Sequence, residues 1–119
     1  MGNYRIQRVN AEFQRQLTEI LREVKDPRLT DMVTVTAVNV DADLRTGKAF
    51  LSIYSATREQ KMENIEAIRA SAGFIRHALA ERIPHIRQIP QLQYVLDESL
   101  DYGAKIDKIL SDLKDDKDK

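Results

Sequence analysis

Arg69, Gly73 and Arg76 are the residues whose spacing most directly suggests a chemistry. Gly73 follows Arg69 by four positions and precedes Arg76 by three, so on a continuous helix all three share one stripe. A glycine inside a helix costs about 0.8–1 kcal/mol relative to alanine. Two physical reasons could keep it there, a bend between helices or close approach of its backbone to another body. A bare patch of backbone with a guanidinium fork on each side would suit a phosphate backbone. Two surface arginines flanking a kink would show the same spacing. Arg5 and Arg8, early in the first helix, and Arg45 and Lys48, near a hairpin turn, are further basic candidates for such a contact. Such side chains also commonly solvate a helix face or pair with nearby glutamates.

Other chemistries find little support. The four glycines, Gly2, Gly47, Gly73 and Gly103, lack the spacing of a dinucleotide fingerprint or a nucleotide-triphosphate loop. His77 and His85 form no metal-ligand motif, and the chain has no cysteine, which excludes disulfides and thiolate metal sites. Asp41 and Asp43 suggest a hard-cation pair, but without further ligands at loop spacing a turn role fits better. Ser71 and His77 stand six apart, on different faces of a helix, so a nucleophile–base pair is not expected. Phe50 and Tyr54 could share a strand face as a stacking platform, although core packing or ordinary exposure accounts for them better. No catalytic, cofactor-binding or metal site is expected.

Net charge is zero but unevenly spread. Residues 97–119 hold 8 acids and 5 bases, leaving 14 bases and 11 acids in residues 1–96. Between Ala67 and Leu96 there are 4 arginines and one acid, Glu81. A basic body with an acidic tail points weakly towards a polyanion partner. The start, Met1-Gly2-Asn3-Tyr4-Arg5, has no apolar run, and Ile6 argues against myristoylation. No stretch is apolar enough to span a bilayer. The expectation is one soluble cytoplasmic domain.

The elements that must position these residues follow from periodicity. Ile6, Val9, Phe13, Leu17, Ile20, Leu21 and Val24 predict an amphipathic helix over Tyr4–Val24, closed by Asp26-Pro27. Val33–Val40 and Ala49–Tyr54 read as strands, joined into an antiparallel hairpin by the turn-rich Asp41–Gly47. Val33 and Val35 have odd parity while Val38 and Val40 have even parity, which predicts a bulge near Thr36-Ala37. Leu51 and Ile53 are expected to face the core. Met62, Ile65, Ile68, Ala72, Ile75, Leu79 and Ile83 recur in steps of three or four, predicting two helices that meet at a kink of Ser71, Ala72 and Gly73. A third strand alternates through Leu92, Tyr94 and Leu96. A last helix carries Ile106, Ile109, Leu110 and Leu113, and Lys114–Lys119 is all charge. This gives an α+β domain over residues 1–113, with helices on one face of a small sheet, and a charged, disordered tail at 114–119.

Several ordered segments together resemble the ribosome-binding factor A family over Tyr4–Leu113. They are Arg5-Ile6-Gln7-Arg8-Val9, Val33-Thr34-Val35-Thr36-Ala37-Val38, Asp43-Leu44-Arg45 with Lys48-Ala49-Phe50-Leu51-Ser52-Ile53, Gly73-Phe74-Ile75-Arg76, Ile89-Pro90-Gln91-Leu92 and Asp97-Glu98-Ser99-Leu100-Asp101-Tyr102-Gly103. The resemblance implies a single type II KH-like domain (α-β-β-α-kink-α-β) with an added C-terminal helix. The four residues from Gly73 end in Arg76, so the GxxG loop of ordinary KH domains is absent. The family bears an Ala-x-Gly kink in its place, and here Ser71 occupies the alanine position. The resemblance further implies an RNA-binding ribosome biogenesis factor without catalytic activity or cofactor. Its expected partners are the small ribosomal subunit and ribosomal RNA, its role late subunit maturation with rRNA processing, and its physiology cold adaptation. It is expected to be monomeric when free and to use neither a small-molecule substrate nor a membrane. The alternative from the residues alone is a protein–protein adaptor docking through its last helix.

Overall fold

The computed structural model describes residues 2–98, with side chains from Arg5 onward. The helix predicted on Ile106, Ile109, Leu110 and Leu113 and the tail at Lys114–Lys119 lie outside the described residues.

The apolar stripe of the first segment forms α1 (Gly2–Leu21), which buries Phe13, Leu17 and Ile20 completely. The helix stops three residues short of the predicted Val24 because its last turn tightens. Glu23 and Val24 donate to the carbonyls of Ile20 and Leu21 at 2.9 and 3.4 Å, the i to i+3 pattern that ends many helices. Beyond it, Asp26 accepts from the backbone N–H and guanidinium of Arg28. The Arg28 hydrogen bonds hold the Asp26 carboxyl below its ordinary pKa.

β1 (Met32–Val40) and β2 (Thr46–Tyr54) form the antiparallel hairpin, with a register shift between Val35 and Ala37. The bulge thus falls where the change of parity put it. It keeps Val35 and Val38 both buried, as an extra residue must when it resets the alternation. Gln14 of α1 donates to the Val35 carbonyl at 3.0 Å, and Asn10 of α1 accepts from Val40 N–H at 2.9 Å. These side chains satisfy backbone groups of β1, an edge strand of the sheet. β2 is longer than predicted because Gly47 and Lys48 continue the ladder against Val40 and Asn39.

The chain then crosses through α2 (Arg58–Ala70) and α3 (Ala72–Arg82) to β3 (Gln91–Leu96), which pairs parallel to β2. A parallel pairing requires such a crossover. β2 is therefore central in a sheet of order β1-β2-β3. Leu51 and Ile53 face the core as expected, packed in one cluster with Ile65, Ile68, Ile75, Leu79 and Tyr94. Ile83, at the C-cap of α3, joins them.

Asn64, on α2, is 1% exposed and fully employed. Its Oδ1 accepts from Thr30 N–H and Asp31 N–H at 3.0 and 3.1 Å, and its Nδ2 donates to Asp31 Oδ2 and the Gln60 carbonyl at 3.1 and 2.7 Å. It ties the segment leading into β1 to the helix that crosses the sheet. On the sheet face away from the described helices, Phe50 is half-buried and Tyr54 exposed, with buried Ser52 between them.

Candidate nucleic-acid interface

The kink between α2 and α3 is made by Ser71. Its φ of −93° and ψ of 13° leave the helical range. Its hydroxyl donates to the Ala67 carbonyl at 2.9 Å, the i−4 back-bond that bends helices. Ser71 N–H still reaches the Ala67 carbonyl at 3.1 Å, and Ile75 N–H reaches the Ser71 carbonyl at 2.9 Å. The predicted three-residue kink of Ser71, Ala72 and Gly73 is thus corrected to one residue, since Ala72 and Gly73 already belong to α3. The break also turns Ala72 out to solvent, so the inward stripe passes from Ile68 to Ile75 without it.

Among the described residues nothing crowds Gly73. A Cβ built there would meet nothing within 4 Å, and no described glycine has a positive φ. The sequence offered a bend or close approach of another body as reasons for this glycine; the described residues place the bend at Ser71 and leave the Gly73 backbone open. Gly47 behaves in the opposite way. It is buried, and a Cβ there would lie 3.0 Å from the Asn39 carbonyl oxygen, 3.1 Å from Val40 Cα and 3.2 Å from Leu92 Cδ2.

Arg69 and Arg76 are not equivalent. Arg69 donates to the Tyr94 carbonyl on β3 at 3.0 Å and to Glu66 Oε1 at 3.1 Å. Its side chain remains 45% exposed, but part of its donor fork is employed in holding α2 to the sheet. Arg76 is exposed and, among the described residues, makes no ion pair. With Gly73 it borders a groove of about 240 Å³ whose floor is Leu79, Ile89, Pro90, Leu92 and Tyr94. Burial among these neighbours pushes the Tyr94 phenol pKa upward.

The other basic candidates divide between two places. Arg5 and Arg8 border a cleft of about 590 Å³ between α1, the hairpin turn and the α3–β3 loop. Sequence reasoning missed that Arg87 completes the rim, because nothing local to Arg87 shows which helix its loop will meet. Arg45 follows Leu44, which lines the same cleft. Lys48 lies elsewhere, beside Gly47 and Gln93 in a depression over the hairpin and β3. Asp41 and Asp43 serve the turn. The Asp41 carbonyl accepts from Leu44 N–H at 2.9 Å, its carboxylate bonds the Thr46 hydroxyl, and Asp43 Oδ1 accepts from Arg45 N–H at 3.0 Å. Among the described residues no group of three His, Cys, Asp or Glu could hold a metal ion, and no helix is long and apolar enough to cross a membrane.

These features define a small α+β domain in which Arg5, Arg8, Arg87 and Arg76 border shallow grooves. Comparison with known proteins gives the particular kind. A family model described as ribosome-binding factor A matches residues 5–110. The chain is similar to ribosome-binding factor A of Clostridium botulinum strain Alaska E43, 43% identical over 116 residues, covering 97% of this chain and 99% of that protein. It is 41% identical over 111 residues to that of Caldanaerobacter subterraneus subsp. tengcongensis, covering 92% and 89%. Its fold is similar to a Thermotoga maritima structure solved by NMR (TM-score 0.70, 29% identity, 81% and 90% coverage). It is also similar to the crystal structure of ribosome-binding factor A from Thermus thermophilus (TM-score 0.68, 23% identity, 79% and 97% coverage). A third structure is a homology model of the Thermus thermophilus factor fitted into a cryo-electron-microscopy map of its 30S complex (TM-score 0.61, 24% identity, 75% and 91% coverage). The chain belongs to the ribosome-binding factor A family.

Proposed function

We propose that this protein is a ribosome assembly factor that binds the small ribosomal subunit and its ribosomal RNA, supporting late maturation including rRNA processing and growth in the cold. The observation that carries this reading is the match of residues 5–110 to a family described by its ribosome binding. The Thermus thermophilus factor in a 30S complex adds to it, and so does the geometry. Arg76 beside the open backbone of Gly73 is the primary RNA contact. Arg69 contributes with the donor atoms that Tyr94 and Glu66 leave, and Arg5, Arg8, Arg45 and Lys48 are secondary. In this reading α2, the Ser71 kink and α3 over the sheet form a type II KH-like unit in which an arginine beside an open glycine replaces the GxxG loop. The protein acts by binding, as a cytoplasmic monomer, without cofactor or small-molecule substrate.

Co-sedimentation with purified small subunits, against large subunits and free ribosomal RNA over a salt series, tests this. Preferential binding to small subunits that weakens steeply with salt is expected. Arg76→Ala should lower the magnitude of the log–log slope by roughly 1. Binding indifferent to salt would replace this reading with apolar docking of a protein adaptor, and absence of binding would remove it.

A further inference from the structure

The α3–β3 loop is a low divide between two depressions. Its first half, His85 to Gln88, lines the cleft that Arg5 borders, and its second half, Ile89 and Pro90, floors the groove that Arg76 borders. The cleft has an apolar floor of Val9, Leu44 and Ile86 beneath an arginine rim. Arg5, Arg8 and Arg87 share the cleft with the carboxylates of Glu12 and Asp43, an excess of one positive charge. Glu12 Oε2 lies 3.2 Å from His85 Nε2, and Asp43 Oδ1 accepts from Arg45 N–H at 3.0 Å. Leu44 enters the floor from a left-handed backbone (φ 60°), the conformation commonly taken by the residue that closes a short hairpin loop.

We infer that this cleft is a second RNA subsite, in which one unpaired nucleotide places its base on Val9, Leu44 and Ile86 and its phosphates on Arg5 and Arg87. An apolar floor under planar donor forks fits an unstacked base and its flanking phosphates, and does not fit a duplex, whose bases are stacked inside. The strand would then cross the loop and continue past Arg76 and Gly73, so one RNA segment occupies both depressions. The inference rests on the small-subunit reading and specifies the RNA it takes, single-stranded and at least several nucleotides long.

The test uses the full chain with Arg5→Ala/Arg87→Ala, Arg76→Ala and the triple variant, with circular dichroism and melting as the check on folding. Each is measured against small subunits and against an oligouridylate and an RNA duplex of equal length, over a salt series. The double variant should lower the magnitude of the slope for small subunits and for oligouridylate by roughly 1.4–1.8, and the triple variant by about one contact more. Ile86→Ser should weaken oligouridylate binding while leaving the slope unchanged, because it removes floor and no charge. If the folded double variant keeps the wild-type slope while Arg76→Ala loses its contact, the cleft is not an RNA subsite and the small-subunit reading survives. Equal binding of duplex and oligouridylate, both weakened by the double variant, would overturn the seated base. Failure of the wild-type protein to bind either small subunits or oligouridylate overturns both readings.

Discussion

At the scale of single residues, the glycine that the fold requires is Gly47 and not Gly73. At Gly47 the neighbours of an added methyl are backbone atoms at 3.0 and 3.1 Å, which cannot rotate away as a side chain tip can. Gly47→Ala should cost about 1–3 kcal/mol, the usual range for overpacking a tight site, read as a lower urea midpoint at unchanged m-value. Asn64 is the other residue whose cost is set by its partners. Asn64→Ala removes the acceptor of the half-buried bonds from Thr30 and Asp31 N–H and one of two donors to Asp31 Oδ2, which Ser55 also reaches. Each unsatisfied buried group costs about 1–3 kcal/mol. We expect a loss of about 2–4 kcal/mol by denaturant unfolding, with amide exchange accelerating first at Thr30 and Asp31. A loss under 1 kcal/mol would show that water reaches these groups. Neither residue stood out in the sequence. Gly47 read as the end of a turn because its crowding comes from Leu92, on another strand, as well as from Asn39 and Val40. Asn64's partners on the approach to β1 lie 33 and 34 positions away.

At the scale of elements, what could be read in advance was what a strand or helix imposes on its own residues. The shift of parity between Val35 and Val38 placed the bulge because alternation is a property of the backbone itself. Apolar periodicity found α1, α2 and α3 for the same reason. The position of the kink was less legible, because glycine is the familiar helix breaker and here a serine hydroxyl bends the chain. Ser71→Ala removes that back-bond. It should change stability by no more than about 0.5 kcal/mol, as surface changes commonly do. Arg69→Ala acts differently, since it removes the donor to the Tyr94 carbonyl that joins α2 to β3. With a side chain 45% exposed, we expect about 1 kcal/mol, in the range of a single hydrogen bond discounted for solvent. Because Arg69 serves the fold and Arg76 does not, Arg76→Ala should leave the melting temperature unchanged. A double-mutant cycle between Arg69→Ala and Glu66→Ala would separate the bond to β3 from the surface ion pair.

At the scale of the whole molecule, stability and binding are expected to oppose each other at Gly73. The protein tolerates a residue of poor helix propensity in the first turn of α3, where no described residue crowds a side chain and no left-handed angle demands glycine. Replacing it with alanine should therefore stabilise the folded state by about 0.5–1 kcal/mol, through helix propensity and the reduced freedom of the unfolded chain. For a domain of this size that is a rise of a few degrees in melting temperature. The same methyl group would stand between the helix backbone and whatever lies on it. If that is an RNA backbone held by Arg76, Gly73→Ala should weaken small-subunit binding while raising the melting temperature, and Gly73→Val should weaken it further without unfolding the protein. The salt slope should stay near wild type, because no charge is lost, and this separates the effect from that of Arg76→Ala. Thermal unfolding and co-sedimentation on the same preparations decide the matter. A stabilised Gly73→Ala protein that binds small subunits as tightly as wild type would show that no partner approaches α3 at this turn.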